Sequence, residues 1–114
     1  MFAQSFVTEI KNALKNADVE LISNFLDEKI DITFNDEVKT YNEKDAKTAL
    51  KKIFNKLKPT DFKITQKGNS ISNNTTFCIG EMKTKNENYR IYLFFLEKNN
   101  KNYLKELRFE NKIK

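Results

Sequence analysis

The sequence predicts an α+β domain in which three helices from the first half of the chain pack on a curved antiparallel sheet of about five to six strands. Apolar residues recur every three or four positions in three segments before residue 58. Beyond residue 60 the apolar period changes to two, and short Asn-rich stretches separate the resulting strands. The 114 residues suit one domain, residues 1–114, with one core.

The first two helices are predicted from the spacing of apolar residues. Phe2, Phe6, Ile10 and Leu14 recur at helical intervals, which predicts an amphipathic helix over about residues 3–16. Asp18 suits the N-cap of a short second helix, because its side chain can accept a hydrogen bond from a free amide of the first turn. The apolar stripe of this second helix comprises Leu21, Ile22, Phe25 and Leu26.

A hairpin and a third helix are predicted next. Ile30, Ile32 and Phe34 alternate with polar residues, which is typical of a strand, and residues 35–37 turn the chain into a return strand at residues 38–41. Asn42 can cap the third helix, and Pro59 ends it. One face of this helix is rich in Lys, and the other comprises Ala46, Ala49, Leu50, Ile53, Phe54 and Leu57.

Four hairpin-connected strands are predicted at residues 61–67, 75–85, 88–98 and 102–110. The Asn-containing turns between them tolerate positive φ. Residues 89–96 are apolar on both faces, as in a central strand that is covered on each side. Because helices easily cover only one face, the other face must line a pocket, meet a partner subunit or curl against the third helix. We therefore expect a homodimer through the sheet.

The composition excludes several kinds of site. Histidine is absent, which excludes His-dependent triads and nearly all imidazole-based zinc sites. The single cysteine, Cys78, excludes an internal disulfide and any multi-cysteine metal site. Gly68 and Gly80 form no phosphate-cradling pattern, and Gly80 is predicted to mark a bulge or the close approach of a helix. We predict no catalytic residue, no metal site and no cofactor.

The net charge of +5 arises mainly from lysines in the second half of the chain, which are interspersed with Asn. This pattern favours a solvated surface and does not favour nucleic acid as a partner. No apolar run approaches the roughly 20 residues that span a bilayer, so no membrane span is predicted. Residues 1–4 lack the segments of an intact signal peptide but are also typical of what remains around a cleavage site.

The ordered elements resemble the nuclear transport factor 2-like cone, also called the cystatin-like superfamily. Several segments are similar to a bacterial family of unknown function within it: Tyr41-Asn42-Glu43-Lys44-Asp45-Ala46, Asp61-Phe62-Lys63-Ile64 with Lys67-Gly68, Ile79-Gly80, Asn88-Tyr89-Arg90-Ile91-Tyr92 and Leu104-Lys105-Glu106-Leu107-Arg108-Phe109. The resemblance implies a periplasmic or secreted protein, although a cytoplasmic location is not excluded. It also implies a pocket between the third helix and the sheet. Enzymes of the superfamily use an Asp base with Tyr, Asp or His there, and no Asp of this chain aligns to that motif.

The alternation of side chains between the two faces of each strand predicts a candidate site. If the two loops at Asn86-Glu87 and Asn99-Asn100 have even lengths, one sheet face carries Glu81, Lys83, Arg90, Tyr92, Leu107 and Phe109. We predict that Glu81, Arg90 and Tyr92 bind a ligand, because Arg offers a forked donor to a carboxylate or phosphate. The alternative is a cross-strand ion pair on an outer face. The opposite face would be an apolar layer of Cys78, Gly80, Met82, Ile91, Leu93, Phe95 and Leu104, interrupted by Glu106 and Arg108.

These patterns favour a non-enzymatic domain that binds a small molecule or a protein. The alternative is a small pocket enzyme in which a carboxylate and a Tyr act as general acid and base on a hydrophobic small molecule. That alternative requires a carboxylate buried in a pocket.

Overall fold

The helices and strands follow the local signals of the sequence. The structure, a computed structural model, describes residues 5–112, so Phe2 at the start of the expected first helix lies outside the described residues. The elements are α1 (Ser5–Lys15), α2 (Val19–Ser23), β1 (Leu26–Phe34), β2 (Glu37–Asn42), α3 (Glu43–Leu57), β3 (Pro59–Ser70), β4 (Thr75–Thr84), β5 (Asn88–Lys98) and β6 (Lys101–Asn111). No helix of residues 5–112 is long and apolar enough to cross a membrane.

Both expected helix caps form. The Asp18 side chain accepts a hydrogen bond of 3.1 Å from the Leu21 amide, and the Asn42 side chain accepts one of 2.8 Å from the Asp45 amide. At the end of α3, Lys58 adopts a left-handed conformation with φ of 52°. Its amide donates to the Phe54 carbonyl, which satisfies one free carbonyl of the last turn.

The second helix is shorter than the sequence predicts. It ends at Ser23, and Leu26 opens strand β1 instead of continuing the helical stripe. Leu26 pairs with Leu104 of β6, and the Phe25 carbonyl accepts a hydrogen bond of 2.6 Å from the Leu104 amide. Pairing with a distant strand therefore overrides the local helical spacing at this point.

The six strands form one curved, unclosed sheet in the order β2-β1-β6-β5-β4-β3. Four neighbouring pairs are antiparallel, and β1 pairs with β6 in parallel. The expected fold class is confirmed, with one parallel pair that the sequence did not predict. This pair joins the first and last strands of the chain, which are the second and third strands of the sheet.

The helices cover the concave face of the sheet. Helix α1 packs against β3, and α3 packs against β1 and β2. The ring of Phe6 on α1 meets Phe95 of β5 edge-on, with 5.1 Å between ring centroids. The buried side chains on the concave face of the four long strands include Phe62, Cys78, Met82, Ile91, Leu93, Phe95, Leu104, Leu107 and Phe109.

A bulge in β6 changes the expected register. The Asn99-Asn100 turn has two residues with positive φ, as expected, and Phe95 pairs with Leu104. Phe94, however, pairs with Glu106, so Lys105 is an extra residue in β6. Beyond the bulge every partner moves by one position.

Because of this bulge, two predictions about the faces of β6 are wrong. Leu107 and Phe109 pair with Leu93 and Ile91 on the concave face, and they do not share a face with Arg90 and Tyr92. Glu106 and Arg108 lie on the opposite face and do not interrupt the apolar layer. The physical reason is parity, because one additional residue reverses the direction of every later side chain.

Gly80 marks a close approach, although not of a helix. A Cβ atom at Gly80 would lie 2.5 Å from the Lys63 carbonyl oxygen and 2.5 Å from the ring of Phe62, both on β3. Just beyond its partner Ile64, a register shift leaves Thr65 as an extra residue in β3. The prediction of a bulge is therefore correct for the neighbouring strand.

Candidate functional site

The outer face of the sheet, the face turned away from the helices, carries cross-strand rows of side chains. It is formed by Lys63, Gln66, Gly68, Phe77, Ile79, Glu81, Arg90, Tyr92, Phe94, Glu106, Arg108 and Glu110. Residues that pair across neighbouring strands lie side by side on the same face. Three consecutive rows differ in chemistry, and each is described below.

The first row alternates in charge across four strands. Lys63 of β3 pairs with Glu81 of β4, Glu81 pairs with Arg90 of β5, and Arg90 pairs with Glu110 of β6. Each charge therefore lies beside opposite charges. Such cross-strand pairs stabilise a sheet only modestly when water reaches them.

Glu81 has a further cationic neighbour. The Lys112 ammonium donates a hydrogen bond of 2.7 Å to the Glu81 carboxylate. This hydrogen bond and the charge of Lys112, with smaller contributions from Lys63 and Arg90, hold the pKa of Glu81 below its ordinary value. The carboxylate is therefore ionised at neutral pH.

The second row combines apolar, aromatic and cationic groups. Ile79 pairs with Tyr92, and Tyr92 pairs with Arg108. The Arg108 guanidinium lies 5.0 Å from the centroid of the Tyr92 ring. Its ion pairs with Glu106 and Glu110 are long, at 3.8 Å each, and among residues 5–112 its buried Nε has no hydrogen-bond partner. The unpaired Nε is inaccessible to water, so it is not available to a ligand that approaches this face.

The third row exposes aromatic surface. Phe77 pairs with Phe94, and the two residues are 40% and 39% exposed to solvent. The Phe77 ring lies over Gly68, where a Cβ atom would come within 2.7 Å of it. Gly68 thus lets Phe77 lie flat on the sheet. Two large aromatic residues in contact with water form a small apolar patch, which the row of Ile79 and Tyr92 separates from the charged row.

The structure brings the three predicted ligand-binding residues to the same face. Glu81 and Arg90 are direct cross-strand partners, and Tyr92 lies in the next row. Lys83 lies in the row on the other side of Glu81 and Arg90, opposite Asn88. The apolar residues on this face are Phe77, Ile79 and Phe94, and not the predicted Leu107 and Phe109.

The concave side offers less room than the resemblance implied. Most side chains between the sheet and the helices are buried, and the rings of Phe54 and Phe109 meet edge-on with 6.2 Å between centroids. Tyr89 belongs to this layer. Burial, followed by its hydrogen bond to Glu87, raises the pKa of the Tyr89 hydroxyl above its ordinary value. A groove does remain where α3 meets β1 and β2, with a volume of about 490 Å³.

The sequence did not identify one buried carboxylate, that of Asp27. Its side chain is 6% exposed and accepts hydrogen bonds from Lys105 at 2.9 Å and Lys98 at 3.2 Å. Lys105 is the bulged residue of β6, so the bulge supplies one of the partners. A charged residue directly after the buried pair Phe25-Leu26 was the available signal.

Burial disfavours the charged form of Asp27, but the hydrogen bonds from Lys105, the Glu28 amide and Lys98 outweigh it and hold the pKa below its ordinary value. An ionised carboxylate held by two lysines suits a structural clamp better than a general acid. Among residues 5–112, no group of three or more His, Cys, Asp or Glu side chains is placed to hold a metal ion.

Comparison with known families gives one match. The family model described as "Domain of unknown function (DUF4783)" matches residues 7–110. No curated protein sequence matches the chain.

Solved structures share the fold. A DUF4783 family protein from Bacteroides uniformis superposes with a TM-score of 0.87 at 20% identity, covering 94% of this chain and 97% of that chain. A DUF4783 family protein from Bacteroides ovatus gives 0.87 at 21% identity, covering 93% and 94%. A nuclear transport factor 2-like protein of unknown function from Cytophaga hutchinsonii gives 0.66 at 10% identity, covering 95% and 88%. At these identities the likeness concerns the fold alone.

Proposed function

The chain belongs to the DUF4783 family, whose function is unknown and whose fold is nuclear transport factor 2-like, and we propose that it is a non-enzymatic protein-interaction domain. Its partner is a second copy of the chain, and the contact surface is the outer face of the sheet. The observation that carries this proposal is that one face carries the exposed pair Phe77 and Phe94 and, two rows away, a row of alternating charges. Glu81, Arg90 and Tyr92 are contact residues of this surface.

A second copy fits the order of charges in the first row. The row reads Lys63, Glu81, Arg90, Glu110, so its sign pattern inverts when the row is reversed. A twofold axis parallel to the strands and between β4 and β5 reverses the row of the second copy. Lys63 then faces Glu110, and Glu81 faces Arg90, on both sides of the axis.

The same axis matches the other two rows. Phe77 of one copy faces Phe94 of the other, and Ile79 faces Tyr92. Gln66 faces Arg108. An apolar centre with charged residues at one end agrees with the usual anatomy of protein interfaces. An axis perpendicular to the strands would instead place Lys63 against Lys63 and Glu81 against Glu81.

A free anion is a poorer occupant of this face. Arg90 lies between Glu81 and Glu110, its two cross-strand neighbours. A carboxylate or phosphate that approached Arg90 would meet both negative charges. A protein surface that presents both signs in register avoids this repulsion.

The test is a pair of charge reversals, Glu81→Arg and Arg90→Glu, studied apart and mixed. Each variant alone places two like-charged pairs across the interface, and we expect its dimer to dissociate at least about tenfold more readily than the wild-type dimer. In an equimolar mixture the guanidinium introduced at position 81 of one chain would face the carboxylate introduced at position 90 of the other, so a heterodimer forms. Sedimentation velocity measures all three samples.

The control for this test is Lys51→Glu, which reverses an exposed charge on α3 away from the sheet, and it should leave the dimer intact. Circular dichroism confirms that each variant is folded. A wild-type chain that stays monomeric at millimolar concentration, or a mixture that stays monomeric, would overturn the proposal.

We also propose that the domain works in the periplasm or outside the cell. The resemblance to exported families supports this location. The only thiol, Cys78, is fully buried, so an oxidising compartment would not cross-link two chains through it. Fractionation of cells that express the gene from its natural start tests the location, and recovery only with cytoplasmic markers would refute it.

A further inference from the structure

A groove runs along the flank of α3, on the concave side of the sheet. Its floor consists of Ile32 and Phe34 of β1, Tyr41 of β2, and Ala49 and Ile53 of α3. We call it the α3–β2 groove. Its volume of about 490 Å³ falls within the range of small-molecule pockets.

The groove stays open because the apolar surface of α3 is wider than the core requires. Ala46, Leu50, Phe54 and Leu57 enter the core and are buried. Ala49 and Ile53 lie beside this stripe and are only half-buried. Strand β2 is at the edge of the sheet, so within residues 5–112 no further strand covers them.

Three lysines surround the groove. Lys39 of β2 and Lys52 and Lys56 of α3 line it and are exposed. Among residues 5–112 none of the three forms a salt bridge with a carboxylate. The Lys56 ammonium lies 5.0 Å from the centroid of the Phe34 ring, at the apolar floor. Two carboxylates, Glu37 and Asp45, also line the groove, which leaves one excess positive charge.

We propose that the α3–β2 groove binds an anionic amphiphile, a free small molecule with an apolar tail and one carboxylate or phosphate head. The tail covers the half-buried apolar floor, and removal of that surface from water drives binding. The head lies at the ammonium groups of Lys52 and Lys56. The Lys56 ammonium already sits at the boundary between the apolar floor and water, which is where the head of such a molecule would lie.

Octanoate and its uncharged counterpart 1-octanol test both parts of the proposal. Amide chemical shifts of the labelled protein are followed by NMR during titration with each compound. We expect both to shift amides of the groove floor, with octanoate binding more tightly. Lys52→Gln and Lys56→Gln should each weaken octanoate binding roughly two- to fivefold and leave 1-octanol binding unchanged.

Two further variants complete the test. Lys51→Gln is the matched control, because Lys51 lies next to Lys52 in the helix but outside the groove, and it should change neither affinity. Ala49→Phe should fill the groove and abolish binding of both compounds, while the spectrum confirms the fold. Equal affinity for octanoate and 1-octanol, equal effects of Lys51→Gln and Lys56→Gln, or shifts located outside the groove would overturn the proposal. Failure of dimerisation would leave this result unaffected, since the groove and the outer face lie on opposite sides of the sheet.

Discussion

The two faces of strand β5 are similar in sequence and differ in burial. On the concave face Ile91, Leu93 and Phe95 are fully buried beneath the helices. On the outer face Tyr92 is half-buried and Phe94 is 39% exposed. An apolar residue of this strand therefore becomes part of the core only where a helix covers it. Apolar residues on the uncovered face are available for contact with another molecule.

The largest expected contrast is between Phe95→Ala and Phe94→Ala, neighbouring substitutions on opposite faces. Phe95→Ala removes a fully buried ring and should lower the free energy of unfolding by about 3–5 kcal/mol. Phe94→Ala should change it by only about 0.5 kcal/mol in the monomer. Urea unfolding at concentrations that keep the chain monomeric measures both values. Similar losses for the two variants would show that the comparison of faces is wrong.

A second contrast concerns Asp27 and Glu81, two carboxylates that accept hydrogen bonds from lysines. Asp27 is buried, and Asp27→Asn should cost about 1.5–3 kcal/mol at neutral pH through the loss of charged hydrogen bonds. Because the pKa of Asp27 is lower in the folded state, its contribution is complete above the ordinary value of 3.8 and is lost as the pH falls through the folded value.

The difference between wild type and Asp27→Asn should therefore shrink in acid, as urea unfolding at several pH values would reveal. Glu81→Gln is the control, since the pKa of Glu81 is also lowered but its side chain is accessible to water. We expect a smaller loss for Glu81→Gln. A loss for Asp27→Asn that is independent of pH would argue against a role for the charge.

The third and smallest contrast uses the two glycines, which lie on opposite faces. Gly80→Ala would place a Cβ atom against the Lys63 carbonyl and the buried Phe62 ring, and it should cost about 1–3 kcal/mol. Gly68→Ala meets only the exposed ring of Phe77, which can rotate away, so its cost should be below about 1 kcal/mol. Thermal unfolding compares the two, and a larger loss for Gly68→Ala would contradict this assignment of faces.

Local sequence signals predict much of the fold. The caps at Asp18 and Asn42 form as expected, and strand β5 has the expected bounds, residues 88–98. These features depend on neighbouring residues, so one segment of sequence is sufficient to predict them. The bounds of β1 depend on Leu104, more than 70 residues away, and they were missed for that reason.

The candidate site was predicted in part. Glu81 and Arg90 are joined by a hairpin whose even loop fixes their pairing, and the structure agrees. The partners of Tyr92 on β6 depend on the bulge at Lys105, which no local pattern indicates. The clamp on Asp27 and the α3–β2 groove likewise join residues that are distant in the chain.

The order of the elements, their caps and turns, and the alternation of side chains along each strand follow from local sequence. Neighbouring residues govern these features through hydrogen bonds and steric limits over a few positions. The pairing of β1 with β6, the bulge that shifts the register, and the choice of the face that the helices cover arise from long-range packing. These outcomes depend on how distant segments share one core, and an apolar pattern on both faces of a strand is compatible with more than one such arrangement.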